Sequence, residues 1–390
     1  MTVSHDAPSI WIISGEASGD DYGAGLAREL RRLRPHCVLK GMGAEKMRQA
    51  GVELLVDSTD LGVVGIVEVL RHLPFFLRLL GDLTRRAAEE RPAAVVLIDY
   101  PGFNLRFAQR LKALGIPVIY YISPQVWAWK KGRIPKLAAA VTRMLCIFPF
   151  EPAVYAGTGL DARFVGHPLL ETLAPLTSTP AERDPNLVIL LPGSRRSEFS
   201  RLLPVYLATA RELRRRRPDL RFHLPMRNAA NVEAAKAIIA QTDPSFDLAL
   251  FEFSTGDARQ WMRRGAAGIA ASGTVTVEAA ILGLPLVVTY KLNPATWWFA
   301  KRVVKLPSIT IANLVTNSTV YAERLQDEAT PTNLAQELLD ILPGGPRHQA
   351  VVDGMDACVR QLGGGRNAAA TVAENVLEVI KQSIESIKSI

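Results

Sequence analysis

Short apolar runs alternate along the chain with longer segments whose apolar residues recur every three to four positions. Residues 10–13 predict a strand, followed by a helix from about Asp21 to Leu33. Residues 95–98 predict a second strand, with a helix after it that ends at Gly115, and residues 116–122 a third. This strand–helix–strand rhythm calls for a parallel sheet covered on both faces. Between Glu171 and Asn186 the pairs Ala-Pro and Asp-Pro flank Thr-Ser-Thr-Pro, a density of Pro and small polar residues that reads as a linker. The rhythm then restarts with a strand at 187–191, a long helix to about Arg217, and strands at 221–224, 268–270 and 286–290. Apolar residues at Val372, Val376, Ile380 and Ile384 predict a closing helix over 367–390. The expected architecture is α/β: two Rossmann-like doubly wound domains at 1–172 and 173–364, and a C-terminal helix at 365–390 that packs back on the first.

At 390 residues the chain is too long for one ordinary core, which agrees with two domains. Hydrophobic residues at 48% and charged residues at 22% exclude general disorder. Lys plus Arg exceed Asp plus Glu by 46 to 38, a formal charge of +8 that favours anionic partners. The excess is too diffuse for nucleic acid, and no nucleic-acid motif is present. The densest basic run, Arg214 to Arg217, reads as the solvated end of a helix. Cys37, Cys146 and Cys358 form no paired motif, so a structural zinc site is not expected and a reducing compartment is. Cys146, inside Leu145-Cys146-Ile147-Phe148, reads as a buried thiol. Residues 1–8 lack a secretory pattern. The apolar stretch 63–80 is interrupted by Glu68, Arg71, Pro74 and Arg78 and does not span a bilayer. A cytoplasmic protein that touches a membrane is expected.

In open α/β sheets ligands bind beyond the carboxyl ends of the strands, so the turns there carry the chemistry. Five stand out. In Leu191-Pro192-Gly193-Ser194-Arg195, Gly193 permits a tight turn into a helix, the amides can face an anion, and Arg195 offers a fork for phosphate oxygens. A plain strand–helix turn would look similar. In Ala271-Ser272-Gly273-Thr274-Val275-Thr276-Val277-Glu278, Ser272 and Thr274 stand at a helix start, and Glu278 shares a helix face with Thr274, where it could accept both ribose hydroxyls. The third turn, Ser14-Gly15-Glu16-Ala17-Ser18-Gly19-Asp20, is neither a dinucleotide fingerprint nor a P-loop, but supplies small residues and two acids facing the ligand side. Asp99, ending the 95–98 strand, is a candidate general base, with helix capping by Asp99 or Asn104 as the alternative. In the fifth turn Trp127 and Trp129 form either an aromatic wall for sugar or lipid, or core packing.

These segments together resemble lipid-A-disaccharide synthase. The resemblance rests on the first, second and third turns, on Gly65-Ile66-Val67-Glu68-Val69-Leu70, on Ser123-Pro124 with Val126-Trp127-Ala128-Trp129, on Phe148-Pro149-Phe150-Glu151 and on Ala300-Lys301-Arg302. It runs in order over nearly the whole chain. It implies a GT-B fold and an inverting transfer of 2,3-diacylglucosamine from UDP-2,3-diacylglucosamine to 2,3-diacylglucosamine 1-phosphate, giving the β-1,6 disaccharide and UDP. The C-terminal domain would take the nucleotide and the N-terminal domain the acceptor, facing across a cleft. No cofactor or metal is implied, and no DxD motif stands at a strand end. Asn313 and Gln326 would contact the UDP-sugar. Ala312 and Ala322 replace prolines common in the family, which puts the local loop shape in doubt.

On this reading Asp99 is the base, Glu16 the second choice, and Asp20 an orienting acid. UDP would depart onto Gly193, Ser194 and Arg195 and onto Ser272, Gly273 and Thr274. Acylated substrates call for peripheral contact with an anionic membrane, through residues 63–80, with Leu73, Phe75, Phe76 and Leu79 around Pro74, or through Trp297-Trp298-Phe299 beside Lys301, Arg302 and Lys305; helix faces packed in the core are the alternative for both. A homodimer is an open expectation. The rivals are a same-fold UDP-sugar 2-epimerase and a non-catalytic lipid- or nucleotide-binding protein.

Overall fold

In the computed structural model, residues 8–59, 73–129, 131–193, 195–242, 250–293, 296–298, 302 and 306–388 are described. They form two compact units: residues 1–168 with 365–390, and residues 169–364.

The first unit is built on seven parallel strands: β1 (Ser9–Ser14), β2 (Val38–Gly43), β3 (Glu53–Asp57), β4 (Ala94–Ile98), β5 (Val118–Tyr121), β6 (Arg143–Cys146) and β7 (Asp161–Phe164). Their spatial order is β3-β2-β1-β4-β5-β6-β7. The central strands are apolar at every position because helices cover both faces, so Ile10 to Ile13 and Ala94 to Ile98 are all buried. The register sets Ser14 level with Ile98, so the turns leaving β1 and β4 emerge side by side. Chain order reverses there, the place where a doubly wound sheet opens toward a ligand.

The helix Ala368–Lys388 belongs to this unit and packs on the helix Ala17–Leu33. It buries Val372, Val376 and Ile380, as its apolar spacing requires, while Ile384 is exposed. Two arginines lock it to the sheet. Arg143, 2% exposed, donates from Nε to Asp161 at 2.7 Å and from Nη1 to Glu378 at 2.8 Å. Arg163 repeats the pattern from the next strand, at 2.9 Å to Asp161 and 2.8 Å to Glu378.

The second unit holds six parallel strands: β8 (Asp184–Leu191), β9 (Arg221–Met226), β10 (Phe251–Thr255), β11 (Gly265–Ala271), β12 (Leu286–Tyr290) and β13 (Ala322–Leu325). Their order is β10-β9-β8-β11-β12-β13, with Leu191 level with Ala270. The reversal lies between β8 and β11.

The expected linker between Glu171 and Asn186 is corrected. A helix, Leu169–Thr177, occupies its first half and β8 begins at Asp184. Leu169 and Leu173 are buried, with the helix against Val275–Leu282, and Pro175 is carried inside it. Arg183 pins the remainder by donating to the carbonyls of Gly265 at 2.7 Å and Leu282 at 2.5 Å. The Pro density marks the approach to a strand rather than a free tether.

Candidate functional site

Asp99 and Tyr100 leave β4 with φ of 45° and 48°, two consecutive side-chain-bearing residues in the left-handed region. Such a conformation costs about 1–3 kcal/mol per residue and persists only where its surroundings hold it. Here the Asn104 amide donates to the carbonyls of Ile98 at 3.1 Å and Asp99 at 2.7 Å, and Tyr120 Oη donates to the Asp99 carbonyl at 2.6 Å. The helix Pro101–Ala113 is capped by Tyr100, without a side-chain hydrogen bond. The capping alternative for Asp99 and Asn104 is thereby removed. Burial pushes the Asp99 carboxyl up to about 6, the nearby charge of Glu16 adds to this, and the Tyr100 amide opposes it.

Glu16 stands at the start of the helix Ala17–Leu33, exposed, and its side chain caps no backbone N–H. The small residues of that turn serve the protein itself. A Cβ on Gly15 would lie 2.6 Å from the Tyr100 ring, and one on Gly19 would lie 2.2 Å from Ser14 Oγ. Gly15 thus lets Tyr100 fold down beside Glu16. Asp20 is a correction. Its buried carboxylate accepts the backbone N–H groups of Ala44 at 2.7 Å, Lys46 at 3.0 Å and Met47 at 3.2 Å, capping the helix Glu45–Gln49 rather than facing a ligand.

The end of β5 is strained as well. Ile122 has φ 69°, an outlier for a β-branched side chain. Beyond it Ser123 Oγ lies 2.7 Å from Tyr155 Oη. Trp127 is core packing: its indole N–H donates to Glu151 at 3.1 Å and its ring meets Phe150 edge-on at 5.1 Å. The Trp129 side chain lies outside the described residues.

Sequence reasoning missed Glu151. Its fully buried carboxylate also accepts the amides of Ile147 at 3.2 Å and Phe148 at 3.1 Å. Burial nonetheless pushes it up to about 7, the charge of Asp99 contributing. An acid following the apolar run from Leu145 to Phe150 was the available signal. His167, buried 5.3 Å from the Phe148 ring, is driven by burial down to about 3 and is neutral.

In the second unit a cavity of about 480 Å³ opens at the β8–β11 reversal, lined by Gly193, Arg195, Arg227, Gly256, Ser272 and Gly273 among others. The predicted turns after β8 and β11 meet there. Gly193 has φ 104°, which a side chain would resist. Ser194 lies outside the described residues. Arg195 begins the helix Arg196–Arg216 and pairs with Glu198 at 3.1 Å. Ser272 Oγ is committed to the Ile309 carbonyl at 3.0 Å, and Thr274 holds the N-cap of Val275–Leu282 without a side-chain bond. Glu278 receives a two-pronged contact from Arg259, 3.2 Å at each oxygen, which fixes the plane of its carboxylate.

Asn313 and Gln326 are corrected as direct contacts. Asn313 Oδ1 accepts from Val320 N at 3.0 Å and Tyr321 N at 2.9 Å, while Nδ2 donates to the Tyr321 carbonyl at 2.9 Å and to Glu323 at 3.4 Å. Its hydrogen-bonding capacity is spent on shaping the loop into β13. The Gln326 amide pairs with the Leu292 peptide, oxygen to N–H at 3.0 Å and nitrogen to carbonyl at 3.3 Å. Both side chains are occupied in holding neighbouring backbone. A cavity of about 600 Å³ lies beside Asn313 and Glu323.

On the helix Leu73–Glu90, Leu73, Phe75 and Leu77 are exposed, Leu77 by 50%; Phe76 and Leu79 are corrected as surface residues, since Phe76 turns inward to lie 6.5 Å from the Tyr100 ring and Leu79 is buried in the core. Trp298 is 60% exposed, with the Arg302 guanidinium 3.4 Å above its ring. Residues 63–72, Phe299, Lys301 and Lys305 lie outside the described residues. Among the described residues no group of three or more His, Cys, Asp or Glu could hold a metal ion, and no helix is long and apolar enough to cross a membrane.

Comparison with known proteins gives this arrangement a context. Residues 10–376 match the family model described as lipid-A-disaccharide synthetase. The lipid-A-disaccharide synthase of Trichlorobacter lovleyi is 40% identical over 389 residues, covering 96% of this chain and 98% of its own. The lipid-A-disaccharide synthase of Anaeromyxobacter sp. is 39% identical over 380 residues, covering 95% and 97%. Among solved structures, the UDP-GlcNAc 2-epimerase of Neisseria meningitidis bound to UDP-GlcNAc superposes with a TM-score of 0.61 at 13% identity, covering 95% and 100%. The last shares the fold alone.

Proposed function

The chain belongs to the lipid-A-disaccharide synthetase family, and from that premise we propose how its two units divide a glycosyl transfer that makes the lipid A disaccharide. The enzyme is a hexosyltransferase of GT-B fold. The donor is UDP-2,3-diacylglucosamine and the acceptor 2,3-diacylglucosamine 1-phosphate. Asp99 takes the proton of the acceptor hydroxyl as that oxygen attacks the anomeric carbon. The bond to UDP breaks, and the diphosphate carries the electron pair away. A base with an apparent value of about 6 is largely ionised near neutrality yet remains basic enough to accept a proton. Glu16 tunes that basicity by its charge.

In the second unit the Gly193–Arg195 turn and the start of Val275–Leu282 receive the diphosphate, through backbone N–H groups and the Arg195 fork. Glu278, held flat by Arg259, accepts the ribose hydroxyls. Asn313 and Gln326 keep the neighbouring loops in register for the sugar. The exposed apolar residues Leu73, Phe75 and Leu77 lie in the first turns of the helix whose Phe76 touches Tyr100, so acyl chains and a membrane surface would lie close to the base.

The observation that carries the reading is Asp99: half-buried, strained and capping no helix, at the reversal between β1 and β4. UDP release from the donor, measured with and without the acceptor monosaccharide phosphate, tests it. Acceptor-dependent release that Asp99→Ala abolishes without weakening UDP binding is expected. Near-normal turnover by a folded Asp99→Ala protein would sink the assignment. Because Phe76 supports Tyr100, the membrane surface is tested with Phe75→Ser and Leu77→Ser, which are expected to weaken binding to anionic liposomes.

A further inference from the structure

The cavity between β8 and β11 already holds an anion of the protein's own. Glu198 Oε1 lies 3.1 Å from Arg195 Nη1, and Oε2 lies 3.5 Å from the Arg195 amide nitrogen. A Cβ built on Gly193 would stand 2.7 Å from Glu198 Oε2 and 2.9 Å from its Cβ. The hollow left by the missing side chain of Gly193 is therefore filled by this carboxylate. Part of what an incoming phosphate would use there is taken: bare backbone, an N–H at the helix start, and one nitrogen of the guanidinium fork.

Helix capping explains an acceptor three residues into the helix, but a glutamine amide serves that role as well as a carboxylate. The cap itself does not need the negative charge, which adds only the helix dipole's preference for an acid. The carboxylate lies at an open rim, where Arg195 is 81% and Glu198 23% exposed, and would oppose any anion entering the cavity.

We propose that Glu198 is an internal stand-in for the donor's diphosphate, a residue that tunes nucleotide affinity and release rather than one that binds nucleotide. It neutralises Arg195 in the empty site, gives up that position when the diphosphate enters, and competes for Arg195 as UDP departs. This rests on the reading of the Gly193–Arg195 turn as the diphosphate site.

The test is calorimetric titration of the full chain with UDP, for the parent, Glu198→Gln and Arg195→Ala. Glu198→Gln keeps the side chain's size and its capping oxygen, so melting should hold while UDP binds roughly fivefold tighter or more. The gain should shrink as salt rises. UDP should also become a stronger product inhibitor by a similar factor. If Arg195→Ala loses UDP but Glu198→Gln binds it no tighter than the parent, the stand-in is overturned and the site stands. If Arg195→Ala binds UDP like the parent, the site reading fails and the stand-in with it.

Discussion

Replacing Asp99 by Asn should produce a protein that is more stable and inactive. Asn tolerates the left-handed backbone that residue 99 adopts, so the substitution adds no strain there. It also removes an ionised group from a site that penalises ionisation. The Asp99 carboxyl is raised from 3.8 to about 6, chiefly by burial and then by the charge of Glu16. Two units correspond to about 3 kcal/mol, and roughly 2 kcal/mol remains after allowing for partial exposure.

The folded-state value lies above the unfolded one, so the cost is present in full above about pH 6 and absent below about pH 4. Asp99→Asn is therefore expected to gain roughly 2 kcal/mol at pH 8 and almost nothing at pH 4. Urea titrations followed by tryptophan fluorescence, with Trp11 buried in β1 as a reporter for the first unit, measure both. Acceptor-dependent turnover should fall about 10²–10⁴-fold in the same protein. A variant less stable than its parent at pH 8, or equally stabilised at both pH values, would refute the claim that this carboxylate is held against its solvation.

Other substitutions probe the neighbours. Glu16→Gln removes the like charge beside Asp99, so the acid limb of kcat/KM should move down by about half a pH unit; a limb that stays put or rises contradicts the coupling. Asp20→Ala leaves three first-turn N–H groups without their acceptor, so it should cost about 2 kcal/mol while kcat at saturating substrate holds; a selective loss of kcat would return Asp20 to the catalytic group. Arg143 and then Arg163 hold the Glu378 carboxyl down to about 2, so its stabilisation is present above about pH 4.5 and is lost as pH falls toward 2. Glu378→Ala should cost roughly 1–2 kcal/mol at pH 7 and progressively less in acid, read from denaturant midpoints.

The strands were legible because a sheet covered on both faces needs unbroken apolar runs, and the runs at 10–13, 95–98 and 187–191 are too short for buried helices of their own. Turn placement followed from the fold rule, which is why Glu16 and Asp99, and Gly193 and Ser272, emerge beside one another. What did not follow was the allegiance of each polar side chain. Asp20 sits in the same motif as Glu16, yet its partners are amides at residues 44 to 47, brought up by a separate strand and turn. Asn313 is spent on residues 320 and 321 for the same reason. The strain at Ile122 has no sequence signature, since its side chain argues against the conformation it adopts. The misread linker shows a further limit: proline spacing cannot tell a tether from the edge of a packed helix.

Both ends of the chain belong to one unit, while the other is a single uninterrupted stretch between them. On the ribosome the two therefore finish out of order. The first sheet emerges early but waits for its last helix until about 200 more residues have been made, roughly 10–40 s at ordinary synthesis rates. During that interval the face of Ala17–Leu33 that receives the helix Ala368–Lys388 stands bare, and Arg143 lacks Glu378. The second unit can close first and on its own. A nascent chain that stalls after residue 364 would thus carry a finished second half beside an unfinished first, a surface that chaperones and proteases recognise.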